Sequence, residues 1–200
     1  MAIKTLNKLI NKRDSFEIMG DVIDQILVEN IAEQKRLAVE ENLDLSLWDV
    51  KVFRERHNPI ETFRDNAEAA PVVNVWIDST DYPKSKSDSI ERQLSSTLYN
   101  IDCYALGTAE NVLGGGHNPG DLEAAINIGA TVRLVRNILM AAQNLYLQKQ
   151  GLVWGRWISA VTFYQPEFNT NNALHVQAAR IIFNADSNEF SPQFDPQRPG

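Results

Sequence analysis

The spacing of hydrophobic residues switches between helical and strand periods along this chain, and the order of the switches limits the fold. Over roughly 14–41, hydrophobic residues recur every three or four positions, which predicts one amphipathic helix that begins with an Asp14–Glu17 capping box. A second long helix is predicted from Leu122 to Leu145, with Gly151 as its C-terminal cap.

Between and after these helices the hydrophobic residues alternate, as they do in strands. We predict strands at about 47–56, 71–78, 95–106, 152–164 and 173–185. The order of elements is not the strict β-α-β alternation of a parallel, doubly wound sheet. The sequence therefore predicts an α+β fold, with a mainly antiparallel sheet and two long helices packed on one face.

The chain has the size of one domain. It has 200 residues, and 44% of them are hydrophobic, which is enough to build one core. From residue 187 it reads SNEFSPQFDPQRPG, with three prolines and little to bury. We therefore predict a single α+β domain over 1–186 and an extended, proline-rich C-terminal tail over 187–200, whose deletion leaves the fold intact.

A glycine-rich segment, 107–120, lies between a predicted strand and a predicted helix, where phosphate-binding loops occur. No Lys or Arg occurs between Ala105 and Arg133, and Pro119 stands where a dinucleotide-binding fingerprint needs its last glycine. Asp121 is placed to cap the helix amides that a phosphate would bind. We interpret the segment as a loop that projects toward a neighbouring molecule. A small enzyme that uses 107–120 in its pocket is an alternative.

Residues that often carry catalysis are few and scattered. His57, His117 and His175 form no metal-binding pair on a helix, and Cys103 alternates with apolar residues on the predicted core face. We therefore expect no catalytic residue, no cofactor and no metal site. The net charge of −7 argues against a dedicated nucleic-acid binder, but an acidic surface suits a protein past which DNA moves without binding. No apolar run approaches the ~20 residues needed to cross a membrane.

The last two predicted strands carry large hydrophobic side chains on both faces. Strict alternation places Val153, Trp157 and Val161 on one face and Trp154 and Ile158 on the other. Two helices cover only one face of a sheet, so we expect another subunit to cover the rest.

The WGRW segment within the first of these strands concentrates the residue types that dominate binding interfaces. Aromatic residues in the predicted tail add to this set. The predicted interface residues are Trp154, Arg156, Trp157, Phe190 and Phe194.

After the N-terminal helix come the segments PVVNVWID, SSTLYNIDCYALGTA, INIGATVRLVRNILMAA, VWGRWISAVTFY and HVQAARIIFNA. In this order and texture, over roughly 10–186, the chain resembles the tail-terminator (tail-completion) proteins in the neck of tailed bacteriophages. The resemblance implies a virion protein without catalytic activity. Its subunits would form a homo-oligomeric ring, commonly a hexamer, that caps the tail tube and joins it to the head.

The resemblance also implies partners and a location. The partners are the tail tube protein and a head-side connector or stopper protein, with DNA passing through the lumen without specific binding. The protein would assemble in the host cytoplasm and reside in the tail or neck of the virion. Besides the small enzyme that uses 107–120, two alternatives stay open: a head-completion adaptor or stopper of the same neck, and a monomeric adaptor that binds peptides at a sheet edge.

Overall fold

A computed structural model describes residues 3, 11–57, 70–84, 92–108, 110–112, 116–118, 120–165, 167–169 and 174–190. The α-helices in these ranges are α1 (Ser15–Glu40) and α2 (Gly120–Met140). The strands are β1 (Lys51–Arg54), β2 (Val72–Asp81), β3 (Arg92–Thr108), β4 (Glu110–Val112), β5 (Gly116–Asn118), β6 (Val153–Phe163), β7 (Glu167–Asn169) and β8 (Leu174–Phe190).

Most strands belong to one six-stranded sheet, in which β1, β2, β3, β8 and β6 follow one another and β7 pairs with the first residues of β8. β1 and β2 run parallel, and the other pairings in this sheet are antiparallel. β4 and β5 form a separate two-stranded sheet. Both helices pack on the same face of the main sheet. The α+β fold, with its mainly antiparallel sheet and its two helices on one face, is confirmed.

β3 and β8, each 17 residues long, lie side by side at the centre of the sheet and pair along their whole length. Because side chains alternate along a strand, Tyr99, Ile101 and Cys103 of β3 all face the helices, and all three are fully buried. The Tyr99 hydroxyl donates a hydrogen bond of 2.7 Å to the Phe16 carbonyl. This bond fixes the first turn of α1 against the central strand.

The first strand is shorter than predicted. A strand over 47–56 is correct only for Lys51–Arg54, because Leu45–Leu47 form a 3-10 helix. Glu55 then adopts a left-handed backbone conformation, with φ of 51°, and its carboxylate accepts a hydrogen bond of 3.0 Å from the backbone N–H of Ile77. The side chain thus replaces the backbone partner that a longer β1 would give to β2.

α2 ends earlier than predicted. The predicted helix continues to Leu145 and uses Gly151 as its cap, whereas α2 ends at Met140 and a short 3-10 helix follows. The buried side-chain amide of Asn144 donates a hydrogen bond of 2.8 Å to the Ile138 carbonyl and so satisfies one of the last helix carbonyls. Gly151 has a positive φ of 91°, but it lies in the turn before β6.

The glycine-rich segment 107–120, predicted to be a loop, is partly ordered into strands. It contains β4 and β5, and α2 begins at Gly120, one residue before the predicted cap at Asp121. Gly107 has a packing role, since a Cβ atom there would lie 2.0 Å from the Gly120 carbonyl oxygen. Part of the glycine content therefore allows β3 to approach the start of α2.

Two bulges in β6 change which of its side chains face the helices. They lie after Val153 and after Ile158, where the register against β8 shifts. Each extra residue reverses the alternation that follows it. As a result Ile158 and Val161 pack against the helix-side core, while Trp157 lies opposite Asn184 on the other face. The predicted grouping of Trp157 with Val153 and Val161 is therefore wrong.

The sheet also extends beyond the predicted end of the domain at residue 186. β8 continues to Phe190, and residues 187–190 pair with the first residues of β3. The predicted tail over 187–200 therefore starts too early, because its first four residues are part of the central strand pair. Residues 191–200, which include Phe194, lie outside the described residues.

A buried polar cluster explains why β8 continues. The hydroxyl groups of Ser15, Ser95 and Ser187 form a triangle of hydrogen bonds at 2.7–3.3 Å. The Glu189 carboxylate accepts a hydrogen bond of 2.7 Å from the backbone N–H of Ser15, where the positive end of the helix dipole favours a negative charge. The last residues of β8 therefore tie the sheet to the N-terminus of α1.

A pair of truncations tests this boundary. A chain that ends at residue 186 loses four ladder residues and the Glu189 contact, so we expect its free energy of unfolding to fall by about 3 kcal/mol or more, at roughly 1 kcal/mol per lost hydrogen bond. A chain that ends at Phe190 should unfold like the full chain. Urea denaturation at low protein concentration measures both, and equal stability of the two truncated chains would contradict the assignment.

Candidate interaction surface

β6 is an outer strand of the sheet, and it carries aromatic side chains that remain uncovered. Trp154, Trp157, Phe163 and the following Tyr164 are exposed over 41–53% of their surface. We call these four side chains, with the outer backbone of β6, the β6 edge. Several large aromatic residues exposed along one strand are typical of a protein-binding surface, because they combine large apolar area with few rotatable bonds.

The backbone of the β6 edge has little protection against pairing with another strand. In the part of the chain that the structure describes, β8 is the only strand that pairs with β6, apart from one bridge to Gln150 in the preceding turn. Proteins usually protect such edges with Lys, Pro, short strands or bulges. β6 has its bulges but no Lys, Asp, Glu or Pro, whereas β1 at the other edge is short and carries Lys51 and Arg54. The two edges are thus not equivalent.

Arg156, predicted as an interface residue, is engaged within the subunit. Its guanidinium donates to the carbonyls of Ala141, Asn144 and Leu145 at 2.7–3.1 Å. These carbonyls lie just beyond α2, where a cation is favoured. Burial lowers the pKa of Arg156 without removing its charge at neutral pH. We therefore assign Arg156 to holding β6 against the end of α2.

The other predicted interface residues lie in three places. Trp154 sits in the first bulge of β6 and Trp157 on the sheet face away from the helices, so the structure brings both to the β6 edge. Phe190 is the last residue of β8, where it pairs with Arg92 of β3, and its carbonyl accepts a hydrogen bond of 3.2 Å from Lys12. Phe194 lies outside the described residues.

A polar cluster that the sequence did not indicate occupies the sheet face away from the helices. Asp102 of β3 and Arg180 of β8 lie opposite each other and form two hydrogen bonds, of 2.6 and 3.0 Å. The Trp76 indole N–H donates to the same carboxylate at 2.8 Å. The hydrogen bonds to Asp102 raise the pKa of Arg180. In the sequence, Asp102 and Arg180 stand out only as charged residues at alternating positions of their predicted strands, and nothing there indicates that they pair.

A cavity of about 420 Å³ adjoins this cluster at the end of β1. Its charged side chains balance, since Arg56 and Arg180 face Glu55 and Asp102. Burial, reinforced by the charge of Asp102, raises the pKa of the neighbouring Tyr104 to about 12, so the phenol stays protonated at neutral pH. The hydrogen bonds of Asp102 are directed to neighbouring side chains, so the cluster is suited to fixing the register of β2, β3 and β8.

The sulfur and metal chemistry of the described residues is limited. Burial raises the pKa of the Cys103 thiol well above its usual range, so the reactive thiolate is disfavoured. Across the described ranges, no three His, Cys, Asp or Glu side chains come together as a metal site would require.

The fold is that of an α+β protein in which, among the described residues, the outer backbone of β6 is not paired with another strand of the sheet. No family model matches the sequence, and no curated protein matches it. Neither of the helices described is long and apolar enough to span a membrane.

Substitution of Arg156 tests its supporting role. Arg156→Ala removes hydrogen bonds from a charged donor, so we expect the free energy of unfolding to fall by about 2 kcal/mol. Arg156→Lys should recover less than half of that loss, because an ammonium group lacks the planar fork that spans several carbonyls. Urea denaturation of the monomer measures both variants. An Arg156→Ala protein as stable as the wild type would contradict this role.

Proposed function

We propose that the protein is a structural subunit of the neck of a tailed bacteriophage. In this proposal it is a tail terminator: its copies form a ring, commonly a hexamer, that caps the tail tube and joins it to the head. Its partners are further copies of itself, the tail tube protein and a head-side connector or stopper protein. It assembles in the host cytoplasm, functions in the virion and catalyses no reaction.

The observation that carries the proposal is the β6 edge. A strand of 11 residues with exposed aromatic side chains and without acidic, Lys or Pro residues favours contact with another protein chain. Of the two outer strands of the main sheet, only β6 has these exposed aromatic side chains and lacks acidic, Lys and Pro residues. Two identical subunits in contact through the β6 edge therefore join it either to a different surface of the next copy or to the β6 edge of that copy. A contact between two different surfaces builds a closed ring where the rotation between successive subunits closes, and the proposal takes it to close.

The charge of the chain supports a ring through which DNA passes. Among the residues of β2, β3 and β8, the sheet face away from the helices carries four carboxylates, Asp78, Asp81, Asp102 and Asp186, and two cations, Arg92 and Arg180, beside apolar residues such as Val72 and Leu106. With a net charge of −7, such a subunit repels phosphate. We propose that this face lines the lumen.

Electron microscopy of the purified protein tests the proposal. We expect negatively stained particles to be rings with a central hole, and we expect these rings to bind one end of purified tail tubes. Rings that bind the head-side connector but not the tubes would favour the head-completion adaptor or stopper instead. Particles that remain monomeric at high concentration and bind neither partner would contradict a neck protein of either kind.

Substitution of Trp157 separates assembly from stability. Trp157 is 41% exposed, so Trp157→Ala should change the free energy of unfolding of the monomer by only about 1 kcal/mol. It should weaken assembly at least tenfold, because central aromatic residues often contribute more than 1.4 kcal/mol to an interface. Mass photometry measures the assembly.

The matched control is Val39→Ala, which alters a hydrophobic residue on α1 that is 55% exposed and remote from β6. It should leave assembly unchanged. If both substitutions weaken assembly equally, or if neither does, the β6 edge is not the subunit contact.

A further inference from the structure

The segment SPQFDPQR, 191–198, follows β8 directly and has an alternating pattern. Pro192, Phe194 and Pro196 occupy every second position, and the intervening residues are polar. Successive side chains of an extended chain point to opposite sides. An extended segment 191–198 would therefore present one apolar and one polar face, which is the pattern of a strand at a sheet surface.

The positions of the prolines restrict where such a strand could pair. Backbone N–H groups along a strand point alternately to its two neighbours in the sheet. Pro192 and Pro196 are four residues apart, so both missing N–H groups fall on the same side of the strand. The intervening residues, including Gln193, can bond to a neighbour on the other side. A strand of this kind fits only as the last strand of a sheet, with its prolines blocking further addition.

The β6 edge has the properties that this strand requires. It is 11 residues long, and Arg156, its one charged residue, is engaged with the end of α2. Exposed Trp157, on the face away from the helices, offers apolar surface to the side chains of Pro192, Phe194 and Pro196, which share one face of the extended segment. Charge therefore does not oppose the pairing, and apolar burial favours it.

The geometry around Phe190 favours pairing between copies over pairing within one copy. β8 ends beside the turn into β6, where the Asn188 N–H donates to the Leu152 carbonyl at 3.0 Å. To reach the outer side of its own β6, the chain would have to cross this turn over two strand spacings, about 10 Å. It would then run parallel to β6, which is the less stable arrangement. A segment from a second copy can run antiparallel along the strand.

We propose that residues 191–198 of one copy form an added antiparallel strand on the β6 edge of the next copy. This inference rests on the ring proposed above and names the element that joins its subunits. The added segment and the β6 edge are different surfaces of one chain, so each copy donates to one neighbour and accepts from the other. Repetition of this contact gives the proposed ring when the rotation between successive copies closes.

Two proline substitutions in the full chain test the direction of the hydrogen bonds. Gln193→Pro removes an N–H group that points to β6, so we expect the ring to dissociate at a concentration at least tenfold higher than the wild type does. Arg198→Pro is the matched control, because its N–H group lies on the same outward side as those missing at Pro192 and Pro196, and its ring should be unchanged. Mass photometry over a dilution series gives the comparison, and circular dichroism verifies that both variants fold.

A chain that ends at Phe190 provides the second test, and we expect it to be a folded monomer. If it still forms rings, residues 191–198 do not join the subunits, although the proposed ring would stand on another contact. Equal effects of Gln193→Pro and Arg198→Pro would also overturn the added strand. A full-length chain that stays monomeric would overturn both the ring and the added strand.

Discussion

The pairing of β3 with β8 is the interaction on which the rest of the structure depends. These strands are 17 residues long and pair without a shift in register, so a change of one residue would move every helix-facing side chain to the other face. The same register sets Asp102 opposite Arg180 and Ser95 opposite Ser187. Because β3 occupies one side of β8, β6 pairs on the other side and is the outer strand there among the described residues. The core, the Asp102–Arg180 cluster and the position of the candidate interaction surface therefore depend on one strand pair.

The parts of the fold that follow a single period could be predicted from the sequence. α1 has a continuous helical period and a capping box, and β3 alternates cleanly, so their types and buried faces were predicted correctly. The α+β class followed from the order of elements, because runs of strands between two helices cannot build strict β-α-β units. The exposed tryptophans of β6 were also predicted as interface candidates, from residue type.

The features that the sequence did not reveal depend on contacts between distant residues or on local irregularity. A bulge changes the face of every following residue without a mark in the sequence, so the two faces of β6 were assigned incorrectly. α2 ends at Met140 because Asn144 and Arg156 satisfy carbonyl groups at its end, which periodicity does not record. Ser187 and Glu189 look like tail residues until Ser15 and Ser95 are brought beside them.

The central claim is that the outer backbone of β6 is covered by another copy of the chain in the assembled protein. Hydrogen exchange of the β6 amides, measured across a range of protein concentrations, tests it most directly. We predict that outward-facing amides of Val153–Phe163 exchange slowly at concentrations where the protein is assembled and quickly after dilution to monomers. The amides of β3 should exchange slowly throughout. Identical exchange of β6 in the assembled and the dilute protein would contradict the account.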